Sequence, residues 1–208
     1  MTGFARVAVL GAGTMGHALA LVHALAGCTV RLQDVRPEAL ERARELIGAA
    51  LSTLCEAGEV EAEAAARTPD RITPVGSLEA AVADADLVIE TVVEDREVKR
   101  EVYEAIARAV PAGAIVASNT SYLDVFPLMP EALGPRAVIA HWYTPPYILD
   151  LVDLVPGPST EPSVLDRLET FYRAIGKRPV RFARLLEGYV ANRLQAAMTA
   201  EIFRLLDE

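Results

Sequence analysis

Cysteine is nearly absent from this chain. Only Cys28 and Cys55 occur among 208 residues, one closing a helix–strand junction and one inside a helical pattern. Two thiols so placed provide neither a disulfide framework nor a metal-ligand cluster, and no metal is expected. Basic residues are also outnumbered: 20 Lys and Arg against 29 Asp and Glu leave a formal charge of −9. That charge opposes a polyphosphate backbone, and no single element gathers a cationic cluster, so nucleic acid is not an expected partner. Long apolar runs are missing as well. None approaches the ~20 residues of a membrane span. The opening Met1-Thr2-Gly3-Phe4-Ala5-Arg6 passes directly into a strand pattern, without a basic leader or cleavage site. The expectation is a reducing, cytoplasmic setting with no membrane contact.

What is present is apolar and periodic. Half of the residues are hydrophobic (52%), enough for one large domain plus a short extension. Short β-branched runs over 7–10, 30–34, 87–90, 115–118 and 137–141 read as buried strands and alternate with helical periodicity. Such alternation predicts an α/β fold, a Rossmann-type doubly wound sheet, mostly parallel, with helices on both faces. Helical spacing places Leu40, Ala43, Ile47, Leu51 and Leu54 on one face, and Val98, Val102, Ile106 and Val110 on another. Residues 56–68, rich in Ala and Glu, lack an apolar stripe and are expected to continue as a solvated helical excursion before a strand near 72–75. Pro145 and Pro146 force an extended turn, and residues 149–155 alternate like a strand at an antiparallel edge. A helix over 164–175 ends at Gly176, a short strand covers 179–182, and helical spacing runs from Leu186 to the last residue. The domain expectation is therefore 1–185 for the sheet and 186–208 for a long terminal helix.

The strongest local signal is Gly11-Ala12-Gly13-Thr14-Met15-Gly16. It directly follows a strand, opens a helix over 15–26, and is followed by Asp34 eighteen residues beyond its last glycine. Gly11 permits the tight turn, Gly13 lets backbone amides approach a pyrophosphate, and Gly16 allows close helix–strand packing. Asp34 can accept both ribose hydroxyls of NAD, whereas a 2′-phosphate would meet like charge, so NAD is expected over NADP. Arg36 either offsets that preference in part or is a solvated residue opening the next helix.

His141 closes a predicted parallel strand at its carboxyl end, where ligands of open α/β sheets bind, and Asp153 follows twelve residues later across the proline turn. Together they suit removal of a hydroxyl proton during oxidation of a secondary alcohol. The bland alternatives stand beside this: a satisfied core histidine and a solvent-facing aspartate. His17 and His23 lie in the first helix with no ligand cluster around them, and Trp142 and Tyr143 read as pocket walls.

The runs 11–16, Val88-Ile89-Glu90 through Glu94 and Lys99, Ala117-Ser118-Asn119-Thr120-Ser121, His141 with Pro145-Pro146, and Gly188-Tyr189-Val190-Ala191-Asn192-Arg193-Leu194 together resemble the 3-hydroxyacyl-CoA dehydrogenase family over essentially the whole chain. The segments 140–147, 151–156 and 192–195 look most like its gulonate 3-dehydrogenase and lambda-crystallin branch, which acts on small hydroxy acids. The resemblance implies His141 as general base, Asp153 as its orienting carboxylate, and Ser121 and Asn192 as hydrogen-bond donors to the reacting oxygen. It further implies Asn119, Glu94 and Lys99 near the nicotinamide and its ribose, although Glu94 and Lys99 can equally be solvated helix residues. Two positions depart from the family pattern: it usually has glutamate at Asp153 and asparagine at Thr144. The expected substrate is a hydroxy acid or an acyl-CoA. A true acyl-CoA enzyme needs cations for the CoA phosphates near 56–71, where only Arg67 and Arg71 stand among acidic residues. The terminal helix reads as the start of a helical domain that completes such proteins, and its apolar stripe predicts a homodimer. The rival reading is a crystallin-like module that holds NAD without turnover.

Overall fold

A computed structural model describes residues 3–207; Met1, Thr2 and Glu208, parts of the leader and terminal-helix readings, lie outside them. In chain order the elements are β1 (Arg6–Leu10), α1 (Gly16–Leu25), β2 (Thr29–Gln33), α2 (Pro37–Glu56), α3 (Ala62–Arg67), β3 (Ile72–Val75), α4 (Leu78–Val82), β4 (Leu87–Glu90), α5 (Arg96–Ala109), β5 (Ile115–Ser118), β6 (Ala137–Trp142), β7 (Leu151–Pro156), α6 (Pro162–Ala174), β8 (Arg178–Arg181) and α7 (Ala191–Leu206). The strands form one sheet in the order β3-β2-β1-β4-β5-β6-β7-β8. Every neighbouring pair is parallel except β6 with β7. The result is the expected mostly parallel, doubly wound sheet with one antiparallel pair, and β8 adds a further strand outside it.

Strand alternation divides the core into two layers. Val7 and Val9 of β1 face α1, α2 and α6, where Leu19, Ile47, Leu51 and Leu168 are buried with them. Ala8 and Leu10 face the other way, onto Val82 of α4 and Tyr103 and Ile106 of α5. Both faces of β4 and β5 are therefore covered, which is why these strands read as unbroken apolar runs. Local chemistry sets the helix ends. Asp95 caps α5 by accepting from the Glu97 and Val98 amides at 2.9 and 3.0 Å, and Gly176, at φ +80°, stops α6.

Three local expectations are revised. The 56–68 segment does contain the expected solvated helix, α3, which buries none of its residues, but it is a separate helix rather than a continuation of α2, because Gly58 takes φ +74° and turns the chain. The terminal helix begins at Ala191 rather than Leu186, since Gly188 and Tyr189 both adopt positive φ, +72° and +51°. Trp142 is not a pocket wall. It belongs to the core, edge-on to Tyr172 at 4.9 Å and near His23 at 5.8 Å. No helix among the described residues is long and apolar enough to cross a membrane.

Candidate active site

The carboxyl ends of β1, β2, β4, β5 and β6 converge on one edge of the sheet, and the expected site residues gather there. At β1 the chain turns through Gly11, φ +92°. A side chain on Gly16 would place its Cβ 1.7 Å from the Gly11 carbonyl oxygen, and one on Gly11 would meet the Thr91 carbonyl at 2.9 Å. These two glycines permit backbone to lie on backbone. Gly13 differs: nothing stands within 4 Å of where its Cβ would be. Among the described residues the amides of Gly13, Thr14 and Met15 donate to no protein acceptor, and α1 has no side-chain cap. An open glycine beside unspent donors at a helix N-terminus fits a dinucleotide pyrophosphate.

Asp34 buttresses this loop. Its Oδ2 accepts the Ala12 amide at 2.9 Å and its Oδ1 the Arg36 amide at 3.0 Å, with Arg36 Nε at 3.4 Å from Oδ1. A carboxylate offers about four acceptor positions, so capacity for a ribose hydroxyl remains. Met15 links the loop to the segment after β6, accepting the Thr144 hydroxyl on its sulfur at 2.9 Å.

His141 is the second centre. The antiparallel register sets it directly opposite Asp153, and both are buried. Asp153 Oδ2 lies 3.3 Å from Nδ1, and Ser121 Oγ lies 3.3 Å from Nε2. A carboxylate only accepts, so Nδ1 carries the hydrogen; in the neutral imidazole Nε2 is then the acceptor facing Ser121. The shortened carboxylate thus reaches the imidazole directly, by a long bond. Tyr143, read from sequence as a wall, donates its hydroxyl to the same Oδ2 at 2.6 Å. Tyr189 lies against the imidazole, centroids 4.5 Å apart with the planes tilted by 33°, and donates to the Thr120 carbonyl at 2.5 Å. Tyr189 stands in the run 188–194 that carries the family resemblance, but its place on the imidazole was not legible there, because a left-handed turn carries no periodic signal.

The loop bearing Ser121 is held from beneath. Glu94 Oε1 accepts the Thr120 hydroxyl at 2.5 Å and the Ser121 amide at 2.8 Å; burial pushes its carboxyl up, but the Thr120 bond, the Lys99 charge and the Ser121 bond together hold it below its usual value. Lys99 is neither solvated nor open to a nicotinamide ribose: it is fully buried, 3.1 Å from Glu94 and 2.6 Å from Glu90, and acts beneath the site rather than on the cofactor. Glu94 itself precedes α5 and is not one of its residues. Glu90, to which sequence analysis assigned no role, also accepts Tyr103 and Ser118 hydroxyls at 2.6 Å each. Asn119 Oδ1 accepts the Trp142 amide at 2.9 Å, joining the ends of β5 and β6 and leaving its amide group free to donate. Asn192 stands in the first turn of α7, beside the Ala191 backbone that contacts Tyr143, and makes no side-chain hydrogen bond among the described residues. No group of metal-ligating side chains occurs among the described residues.

Residues 6–185 match the family described as 3-hydroxyacyl-CoA dehydrogenase, NAD binding domain. The chain belongs to this family. As the dehydrogenase NAD-binding domain it carries the glycine turn for NAD that the loop geometry fits. It is 37% identical over 202 residues to the L-carnitine dehydrogenase of Streptomyces griseus, covering 97% of this chain and 59% of that one. It is 33% identical to the lambda-crystallin homolog of Mus musculus, covering 97% and 64%. The 3-hydroxybutyryl-CoA dehydrogenase of Escherichia coli K12 superposes with a TM-score of 0.91 at 33% identity over 99% of this chain and 43% of that one. The dehydrogenase domain described here therefore spans about three fifths of the first of these relatives.

Proposed function

We propose that this chain oxidises a 3-hydroxy acid or 3-hydroxyacyl thioester to the 3-keto product with NAD, His141 acting as general base. The observation that carries this is His141 held between Ser121 Oγ and Asp153 Oδ2, at the edge of the sheet that also bears the glycine turn. Ser121 and Asn192 hydrogen-bond the reacting hydroxyl, and Nε2 takes its proton as the carbonyl forms. The charge on Asp153 stabilises the imidazolium that results. NAD, when bound, supplies the acceptor for the hydride leaving the same carbon. Gly13, Thr14 and Met15 amides hold its pyrophosphate, Asp34 a ribose hydroxyl, and Asn119 and Glu94 border the nicotinamide end.

A small hydroxy acid is favoured over a CoA thioester. Arg67 and Arg71 are the two cations of the 56–71 segment and stand among Glu56, Glu59, Glu61, Glu63 and Asp70, with Arg67 paired to Glu63, a local charge balance that disfavours the CoA phosphates. L-carnitine, the substrate in the name of the Streptomyces griseus relative, and L-gulonate, which the lambda-crystallin resemblance implies, are the first candidates. The protein works as a cytoplasmic homodimer joined through α7. NADH fluorescence titration, followed by absorbance at 340 nm with L-carnitine, L-gulonate and 3-hydroxybutyryl-CoA, tests the assignment. Turnover lost in His141→Ala is the expected result. Binding without turnover of any of the three would leave an NAD-holding module instead.

A further inference from the structure

Asp153 serves two donors with one oxygen. Tyr143 approaches Oδ2 at 2.6 Å, while His141 Nδ1 stands at 3.3 Å from the same atom. The shorter bond is the stronger, and a buried carboxylate divides its charge among the donors it accepts. The tyrosine ring also meets the imidazole edge-on, centroids 4.7 Å apart and planes at 78°. One side chain thus touches both members of the pair.

We propose that Tyr143 is a positioning residue that fixes the Asp153 carboxylate and draws charge from it, so setting the basicity of His141. This rests on the reading of His141 as the base. The tyrosine and the aspartate belong together. A glutamate, which the family resemblance leads one to expect at this position, carries one more methylene and one more torsion, so it has to rearrange to keep an oxygen at the phenol that stands 2.6 Å from Asp153 Oδ2. The shorter aspartate leaves room for the hydroxyl, and the hydroxyl holds the shorter carboxylate under the imidazole. Burial, and then the bond to Asp153, push the Tyr143 phenol far above its ordinary value, so it remains a donor throughout the working range.

The groups facing His141 leave few other routes for such an effect. Asp153 comes from β7, Tyr143 from the segment after β6, Ser121 from the loop after β5 and Tyr189 from the turn before α7. Glu94 stands behind Ser121, tied to Lys99. Among the described residues Asp153 is the charged group hydrogen-bonded to the imidazole, so loss of the Tyr143 hydroxyl acts through it.

The test is an NMR titration of the His141 imidazole in the full chain, which requires no turnover. In Tyr143→Phe the freed carboxylate charge falls on the imidazolium, and the midpoint rises by about half a pH unit or more. In an Asp153→Asn background the same substitution moves the midpoint little, because the charge through which it acts is gone. An unchanged midpoint in folded Tyr143→Phe, or an equal shift in both backgrounds, overturns the proposal. With the substrate identified at 340 nm, Asp153→Glu lowers kcat in the native background and raises it in Tyr143→Phe. Retained turnover in His141→Ala would instead defeat the general-base reading while leaving the titration result to stand.

Discussion

Single residues at the site differ in what they trade. Gly13→Ala meets no neighbour, so folding stability stays within about 0.5 kcal/mol of wild type while NADH affinity falls, the methyl group filling the space a pyrophosphate approaches. Gly16→Ala drives Cβ onto the Gly11 carbonyl and is expected to lower both Tm and affinity. Thermal unfolding with NADH fluorescence separates the two. His23 carries a different constraint. Burial takes its pKa down to about 4, against the raising effect of its bond to the Leu19 carbonyl. The unfolded chain, with its ordinary pKa near 6.5, therefore binds the proton more readily than the folded one. Stability is fully present above about pH 6.5 and is lost as pH falls toward 4, with about 2 kcal/mol gone between pH 7 and 5. Denaturant unfolding at both pH values should show this component in wild type and not in His23→Phe.

At the scale of elements, the site depends on buried charge that crosses strands. Glu90 ends β4, Lys99 and Tyr103 come from α5, and Ser118 ends β5, so one carboxylate ties three elements beneath the Ser121 loop. Lys99→Met leaves that carboxylate without its cation in a fully buried place and is expected to cost about 3–5 kcal/mol in urea unfolding. A loss under about 1 kcal/mol would mean the hydroxyl donors suffice. Glu94→Gln keeps most of the shape but weakens the hold on the Ser121 amide, so kcat is expected to fall more than NADH affinity. The helices and strands themselves were largely legible. Periodicity of 3.6 located α2 and α5, and short unbroken apolar runs located β4 and β5, because both faces of the sheet are covered. The turn at Gly58 and the late start of α7 were not, since both rest on positive φ values that periodicity does not report.

For the whole molecule the salient surface is α7. Leu194, Met198, Ile202 and Leu205 are each more than half exposed along one helix. In a homodimer joined through this stripe, the double substitution Leu194→Glu and Ile202→Glu yields a monomer in size-exclusion chromatography with light scattering. A wild-type monomer at the same concentration would remove α7 as the contact.

The amino-acid sequence alone determined the alternation of strands and helices, the glycine turn with Asp34, and the placement of His141 at a strand end, because each of these is a local pattern of period or spacing. Only the tertiary structure decided which side chains share a proton or a charge. The opposition of His141 to Asp153 follows from antiparallel register. The claim of Tyr143 on the same oxygen follows from a chain reversal through two prolines. The burial of Lys99 between Glu90 and Glu94 follows from the packing of α5 on the sheet. Such meetings join residues far apart in the chain or on opposite sides of a turn, and side-chain direction across them is set by packing, which no local pattern encodes.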